Sequence, residues 1–304
     1  MDSAVGASPE QSPSEPLVSI LTPSFNQRRW LAETIDSVAR QTYSHLEHIV
    51  VDGGSSDGSV ELLRSMLPPQ CWTSERDSGQ SHALNKAFER SHGEIIGWLN
   101  SDDAYLYDDV VERAVDHFRS NPGVGVVYGH AALVEETGRL LQVIWAPPFN
   151  RKLLAHSNFI VQPTVFMQRA ALDDGFLDES FHYGMDHELW LRLAEKYEFS
   201  RIDRIVAIDR HQAERKSYLR PDLAWAEVRR LRDMYGIPTG RISTLERMVL
   251  RIGYRFRGSP AAFRLRQENK AFEWSLDGRL RLLLRQLAVK RRFMTSGEVA
   301  PPRR

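Results

Sequence analysis

The sequence predicts an α/β fold built on a doubly wound, mostly parallel sheet that is flanked by helices. Short apolar segments rich in β-branched residues alternate with segments of helical periodicity over residues 17–128. Turn signals rich in glycine, serine and asparagine separate these segments. Because parallel strands need crossover connections, which are usually helical, this alternation indicates a parallel sheet.

Each predicted element occupies a defined segment. Strands are expected at 17–22, 46–51, 71–75, 95–99 and 124–128, and helices are expected to include 30–39, 60–63, 83–88 and 108–119. Ser56 or Asp57 is expected to cap the second helix, because short polar side chains accept hydrogen bonds from N–H groups at a helix start. After residue 128 the sequence predicts a hairpin of 131–135 with 140–145, a strand at 163–167, a helix at 184–194, a strand at 201–208 and a helix at 221–235.

Composition places the chain among ordinary globular proteins. Its 304 residues are 42% apolar and 26% charged, which allows one large domain or two small ones. Because Cys71 is the single cysteine, an internal disulfide and a cysteine metal cluster are excluded, and a reducing compartment is expected. No apolar run is long enough to span a bilayer. Residues 1–16 lack the apolar segment of a secretory signal, so we expect a disordered N-terminal tail there.

Charge is distributed unevenly although the net charge is +0. Residues 241–304 contain 16 Lys and Arg against 5 Asp and Glu, and apolar residues recur among them at helical spacing. We therefore expect a main domain at 17–240 and a basic amphipathic helical extension at 241–304. The extension would lie on anionic lipid, or would pack as a helical hairpin on the main domain or on a partner. No nucleic-acid-binding motif accompanies these charges, so no nucleic-acid partner is expected.

The apolar run at 95–99 ends abruptly in Asn100, Ser101, Asp102 and Asp103. In open α/β sheets ligands bind outside the carboxyl ends of the strands, so this acidic turn lies where chemistry is expected. Adjacent carboxylates repel each other unless solvent reaches both or a cation lies between them. Their oxygens suit a hard ion such as Mg²⁺ or Mn²⁺. The alternative is a strand end that Asp103 caps.

A second strand end, at residues 52–59, presents backbone N–H groups and the carboxylate of Asp52. Its glycines allow the positive φ angles of a tight turn. Such a turn suits a nucleotide, although it suits other strand-to-helix connections equally well. The dinucleotide fingerprint G-x-G-x-x-G is absent at this turn, which disfavours a Rossmann dehydrogenase.

Five motifs together resemble the nucleotide-sugar-dependent glycosyltransferases of family 2, which have the GT-A fold. They are VSILTPSFN at 18–26, IVVDGGSSDGS at 49–59, ALNK at 83–86 with GE at 93–94, LNSDD at 99–103, and MDHELWLR at 185–192. They occur in the family's order and spacing over roughly residues 17–217. The subgroup that the chain resembles most includes bacterial surface-polysaccharide transferases whose acidic motif also begins with asparagine.

The resemblance implies roles for individual residues. Asp102 matches the last aspartate of the family's D-x-D motif and Asp186 matches the catalytic base, although Asp186 could instead be a helix cap. Asn100 departs from the usual aspartate; its amide can still bond ribose hydroxyls but adds no negative charge. The implied nucleotide contacts are Pro23, Ser24, Phe25, Asp52, Asn100, Ser101 and Asp102. The implied ligands of a Mn²⁺ or Mg²⁺ ion are Asp102, Asp103 and His211. Two alternatives stay open: Asp52 could only satisfy its own turn, and His211 is equally well explained as a structural histidine.

The resemblance predicts an inverting, divalent-metal-dependent glycosyltransferase. It would move a sugar from a nucleotide diphosphate sugar, with a UDP-sugar favoured, to a glycan or lipid-linked acceptor in surface polysaccharide synthesis. We expect it in the cytoplasm, with possible peripheral attachment to the inner face of the plasma membrane. Two alternatives are a non-catalytic nucleotide-sugar-binding or assembly protein on the same fold, and a nucleotidyltransferase. The nucleotidyltransferase is disfavoured because residues 23–27 are not a glycine-rich, basic phosphate loop.

Overall fold

A computed structural model describes residues 15–212 and 221–237 of the chain. The strands are β1 (Val18–Ser24), β2 (Leu46–Asp52), β3 (Trp72–Ser74), β4 (Ile95–Trp98), β5 (Ala104–Tyr105), β6 (Val124–Glu135), β7 (Leu140–Ile144), β8 (Phe166–Gln168) and β9 (Glu198–His211). The helices are α1 (Arg28–Ala39), α2 (Ser59–Met66), α3 (Gln80–Arg90), α4 (Val110–Ser120), α5 (Arg151–His156), α6 (Met185–Leu193) and α7 (Pro221–Met234). Short 3-10 turns cover Pro69–Cys71, Gln162–Thr164 and Arg169–Leu172.

The strands form one mixed sheet in the order β3-β2-β1-β4-β8-β6-β9-β5, with β7 paired to β6. The first four strands are parallel, and β8 is antiparallel to both β4 and β6. The winding runs outward from β1 to β3 and then returns to β4 on the other side of β1. The predicted α/β class and doubly wound sheet are therefore confirmed, and the point where winding reverses lies between β1 and β4.

Helices cover both faces of the sheet because successive strand residues point in opposite directions. On β2, Val50 packs with α1 and α2, whereas Ile49 and Val51 belong to the larger core that contains residues of α3 and α6. Helix α4 packs against Val18 and Ile20 of β1, and together they form a further buried apolar cluster. Among the described residues, no helix is long and apolar enough to cross a membrane.

Several predicted boundaries differ from the structure. The two strands predicted at 124–128 and 131–135 are one strand, β6, which pairs with β7 in the predicted hairpin. The strand predicted at 163–167 is wrong over its first residues: Pro163 lacks an N–H for a ladder and lies in a 3-10 turn before β8. The N-cap position of α2 is Gly58 at φ 91°, and the carboxylate of Asp57 accepts the N–H of Ser59, the first residue of the helix, at 3.0 Å. The predicted extension at 241–304 lies outside the described residues, as does the predicted tail apart from residues 15 and 16.

The absence of a side chain at Gly97 lets β4 pack closely against its neighbours. A Cβ atom built on Gly97 would lie 2.6 Å from Cδ1 of Ile20, 2.9 Å from Oη of Tyr105 and 3.1 Å from Cε1 of Phe166. These three side chains are fully or almost fully buried, and the rings of Tyr105 and Phe166 stack at 5.7 Å between centroids. A side chain at this position would force these closely packed neighbours to shift, so glycine suits β4 here.

Gly97→Ala is expected to lower the free energy of unfolding by about 1–3 kcal/mol, because the added methyl group overpacks the core. Urea unfolding followed by circular dichroism measures this change. Gly123→Ala is the matched control, since a Cβ atom on Gly123 meets nothing within 4 Å. Equal stability of the two variants would contradict this account of the packing.

Candidate active site

The acidic turn, residues 100–103, follows β4 at the carboxyl edge of the sheet. Strands β1 and β4 are parallel neighbours on either side of the winding reversal, where such sheets form their ligand crevice. The hydroxyl of Thr34 on α1 lies 2.9 Å from the backbone oxygen of Ser101 and 2.7 Å from that of Asp103. The structure thus fixes the predicted turn at the edge where ligands of this fold class bind.

Asn100 is the centre of a network of amide side chains. Its Oδ1 accepts hydrogen bonds from Nε2 of Gln80 and Nε1 of Trp98, both at 2.8 Å. Its Nδ2 donates to Oε1 of Gln162 at 2.6 Å and to Oδ2 of Asp103 at 3.3 Å. Gln162 in turn donates from Nε2 to the backbone oxygen of Trp98 at 2.6 Å. Both ends of the Asn100 amide therefore hold protein groups, and the network needs a donor and an acceptor at this position.

Asp103 is buried and tied to β9. Its Oδ1 accepts the backbone N–H of Arg210 at 3.1 Å, and its Oδ2 accepts the bond from Asn100. The guanidinium of Arg210 donates to the backbone oxygen of Asp102 at 2.9 Å and to Oε2 of Glu33 at 2.8 Å. These contacts are those of a strand-end residue, and metal binding by Asp103 stays a prediction.

Asp102 differs from Asp103 because its side chain is partly exposed. Its Oδ2 accepts a hydrogen bond from Nε2 of Gln212, a residue that the sequence analysis did not select. Gln212 is only 3% exposed, yet its Oε1 has no hydrogen-bond partner. His211 lies beside it at the end of β9, opposite Glu135 of β6. Within the described ranges, no group of three or more His, Cys, Asp or Glu side chains is arranged to hold a metal ion.

The residues predicted to contact a base lie around the end of β1. Pro23 and Ser24 are buried, whereas Phe25 is 60% exposed. Ser24 Oγ is buried and has no hydrogen-bond partner. Gly53 separates Phe25 from Asp77: a Cβ atom built on it would lie 2.7 Å from Oδ2 of Asp77 and 3.2 Å from Cδ2 of Phe25. Asp77 was not selected from the sequence as a site residue. It follows β3 at the same carboxyl edge, so the expectation that ligands bind beyond the ends of parallel strands would have identified it.

Asp52 is completely buried at the end of β2. Its Oδ2 accepts N–H groups of Gly54 at 3.1 Å and Ser55 at 2.9 Å, together with the hydroxyl of Ser74 at 2.7 Å. Its Oδ1 accepts the hydroxyl of Ser55. Asp52 therefore organises its own turn, which is the alternative that the sequence left open beside a base contact.

Asp186 lies in the first turn of α6 and is partly exposed. Its Oδ1 accepts the N–H of His187 at 2.7 Å, and its Oδ2 accepts Nδ2 of Asn158 at 2.8 Å. Desolvation raises the pKa of the Asp186 carboxyl above its usual range, against opposing effects of the His187 charge and of these hydrogen bonds. The helix N-cap is Gly184, so Asp186 is a first-turn residue whose carboxylate also faces the exposed side chain of Asn158.

Asn100→Asp is expected to destabilise the protein by about 1–3 kcal/mol at pH 7, because a carboxylate cannot donate to Gln162 or Asp103. Rotating the Gln162 amide does not help, since its Oε1 would then face the backbone oxygen of Trp98. The neighbouring Asp103 should raise the pKa of the new carboxyl. The loss of stability should therefore shrink as the pH falls, because the protonated carboxyl can donate a hydrogen bond. Urea unfolding at several pH values measures both effects.

Asn150→Asp is the matched control for the same chemical change. Asn150 caps α5 by accepting the N–H of Leu153 at 3.0 Å, and aspartate caps helices equally well. A loss of stability that is equal in the two variants would show that the amide network does not require asparagine.

The chain is similar in sequence and in fold to known proteins. Chondroitin synthase of Escherichia coli is 31% identical over 196 residues, which are 62% of this chain and 28% of that relative. The chain thus spans little more than a quarter of the length of chondroitin synthase. Among solved structures, S. aureus TarS 1-349 in complex with UDP has a TM-score of 0.54 at 17% identity, covering 86% of this chain and 77% of that one.

A mannosyltransferase from Pyrobaculum calidifontis, solved with GDP-Man and Mn²⁺, has a TM-score of 0.56 at 18% identity. The alignment covers 94% of this chain and 89% of the mannosyltransferase. These two structures establish likeness of fold. The model of the family described as "Glycosyl transferase family 2" matches residues 19–180, more than half of the sequence. The chain belongs to glycosyl transferase family 2.

Proposed function

We propose that this glycosyltransferase moves a sugar from a UDP-sugar to a hydroxyl group of a glycan or lipid-linked acceptor, with inversion at the anomeric carbon. The observation that carries the proposal is the partly exposed Asp102 carboxylate beside the unpartnered Oε1 of Gln212 at the winding reversal. This edge is where a nucleotide diphosphate would be expected in such a sheet.

The nucleotide would lie at the ends of β1 and β2. The exposed ring of Phe25 offers a surface for a base, and Oδ2 of Asp77 beside Gly53 offers an acceptor for a base N–H. The unpartnered hydroxyl of Ser24 would find its partner on the ligand. TarS has been solved with UDP and with UDP-GlcNAc, and the mannosyltransferase with GDP-Man, which supports a nucleotide-sugar donor.

The Asp102 region fits a hard divalent cation. A buried amide oxygen without a partner beside a carboxylate is a set of oxygen donors that Mn²⁺ or Mg²⁺ accepts, and such ions commonly take their remaining ligands from phosphates and water. Asp102 and Gln212 would hold the ion, together with His211, which is next to Gln212 in the sequence. When bound, the ion supplies neutralisation of the charge that develops on the departing diphosphate. Asp103 would contribute indirectly, since its two carboxylate oxygens hold Arg210 and Asn100.

Asp186 would act as the base that removes the proton of the acceptor hydroxyl. A pKa raised by desolvation makes its carboxylate a better proton acceptor than an exposed aspartate. The hydrogen bond from Asn158 orients Oδ2 of Asp186. The deprotonated acceptor oxygen would attack the anomeric carbon on the face opposite the departing UDP, which inverts that centre. Binding both substrates in one cleft lowers the entropic cost of bringing them together.

The cellular role that we propose is synthesis of surface polysaccharide on the cytoplasmic side of the membrane. Its support is the excess of basic residues in 241–304, which would attract an anionic lipid surface that carries the acceptor.

Asp102→Ala is expected to abolish Mn²⁺-dependent binding of UDP. The variant loses the carboxylate of the acidic turn that solvent can reach, whereas that of Asp103 is buried. Isothermal titration calorimetry with UDP, with and without Mn²⁺, measures the effect. Asp116→Ala on the exposed face of α4 is the control for loss of one aspartate. Unchanged affinity and metal dependence in Asp102→Ala would rule out the proposed diphosphate site.

Asp186→Asn is expected to leave UDP affinity unchanged while lowering turnover by about 10²–10⁴, the usual contribution of a general base. Turnover is measured as UDP release from UDP-glucose, UDP-galactose and UDP-GlcNAc, with water as acceptor. In the wild type the rate should rise with pH through the raised pKa of Asp186, because only the carboxylate accepts a proton; this rise should vanish in the variant. Asp173→Asn, at an exposed site, is the control. Normal turnover by Asp186→Asn would instead favour a helix-start role for this residue.

A further inference from the structure

A carboxylate from α7 lies at the start of the helix that carries Asp186. The backbone N–H groups of His182, Tyr183 and Gly184 donate to Glu227 at 2.9, 2.8 and 2.9 Å. The first bond goes to Oε1 and the other two go to Oε2, so one carboxylate accepts three consecutive amides. Glu227 follows these residues by more than 40 positions, and neither sequence motif nor periodicity pointed to it.

These bonds supply what α6 lacks locally. Its N-cap, Gly184, offers no side chain to accept an N–H, although Asp186 in the first turn accepts the N–H of His187. A carboxylate is favourable at this end because the unpaired N–H groups there carry partial positive charge. Hydrogen bonds to an ionised acceptor are also stronger than bonds between neutral groups.

Helix α7 contacts the same segment at further points. The guanidinium of Arg230 donates to the backbone oxygen of Ser180 at 3.1 Å and to its hydroxyl at 2.8 Å, and it lies 4.2 Å from the ring centre of Phe181. A Cβ atom built on Gly184 would lie 3.1 Å from Cδ1 of Leu231. The path of the chain into α6 is thus set by α7.

Asp186 depends on that path. It is two residues beyond Gly184, and its carboxylate accepts hydrogen bonds from the N–H of the next residue and from the exposed side chain of Asn158. We propose that Glu227 is a positioning residue that holds the start of α6 so that the Asp186 carboxylate faces the acceptor site. This inference rests on the proposed role of Asp186 as the base.

The test uses Glu227→Ala, Glu227→Gln and the exposed control Asp233→Ala on the same helix. Hydrogen exchange followed by mass spectrometry reads the amides of residues 182–184, which should exchange about tenfold faster or more in Glu227→Ala. UDP release from the UDP-sugar that the wild type turns over should slow by about 10–100-fold in kcat, since small misplacements of a catalytic group have effects of this size. The KM for that donor should stay within about twofold, because the hydrogen bonds of Glu227 go to residues 182–184, which are not among the proposed donor contacts.

Glu227→Gln should give an intermediate loss, because one amide oxygen can still accept the two bonds that now go to Oε2. If Glu227→Ala fails to fold, the amide exchange and kcat of Glu227→Gln test the positioning role instead. Unchanged amide exchange in a folded Glu227 variant, or a kcat equal to that of Asp233→Ala, would overturn the inference. Asp186→Asn is assayed in parallel: if it is slow while both Glu227 variants are normal, only the positioning role is wrong. If Asp186→Asn turns over normally, the proposed roles of Asp186 as the base and of Glu227 as a positioning residue are both wrong.

Discussion

The arrangement of the site depends on one buried cation, the guanidinium of Arg210. Arg210 is only 3% exposed, and its guanidinium donates to Glu33 on α1 and to the backbone oxygen of Asp102. Its backbone N–H donates to the carboxylate of Asp103. A buried charge that loses its partner costs about 3–5 kcal/mol, so these groups must remain together. Because Glu33 supplies this partner, Asp102 can keep a partly exposed carboxylate at the edge of the sheet.

The parallel half of the sheet could be predicted because its signals are local. Strands β1, β2 and β4 are short apolar runs bounded by turns, and each helix between them carries its own periodicity. The second half could not be predicted in the same way. The length of β6 is set by pairing with β9, some 75 residues away along the chain, and this pairing carries the strand through positions that look like a turn.

The same difference between local signals and distant contacts applies to the residues of the site. Asp52, Asp102 and Asp103 were found because strand ends in such a sheet meet at one edge, and Asp77 could have been found by that argument. Gln212 and Glu227 could not, because a hydrogen bond to a residue far away along the chain leaves no pattern in the sequence around either partner. The resemblance of motifs selected Asp186, but the raised pKa of its carboxyl depends on burial by distant segments.

Long separations also determine when the site is complete as the protein is made. Asp103 meets the N–H of Arg210 only after a further 107 residues have been added, which takes roughly 5–20 s at a ribosomal rate of about 5–20 residues per second. Until then the nascent chain carries an acidic turn without its hydrogen bonds to β9. The parallel strands β1 to β4 can emerge early, whereas the edge that would bind the donor closes only when β9 follows. A ribosome stalled before residue 210 would therefore hold a partly formed sheet whose donor-binding edge is unfinished.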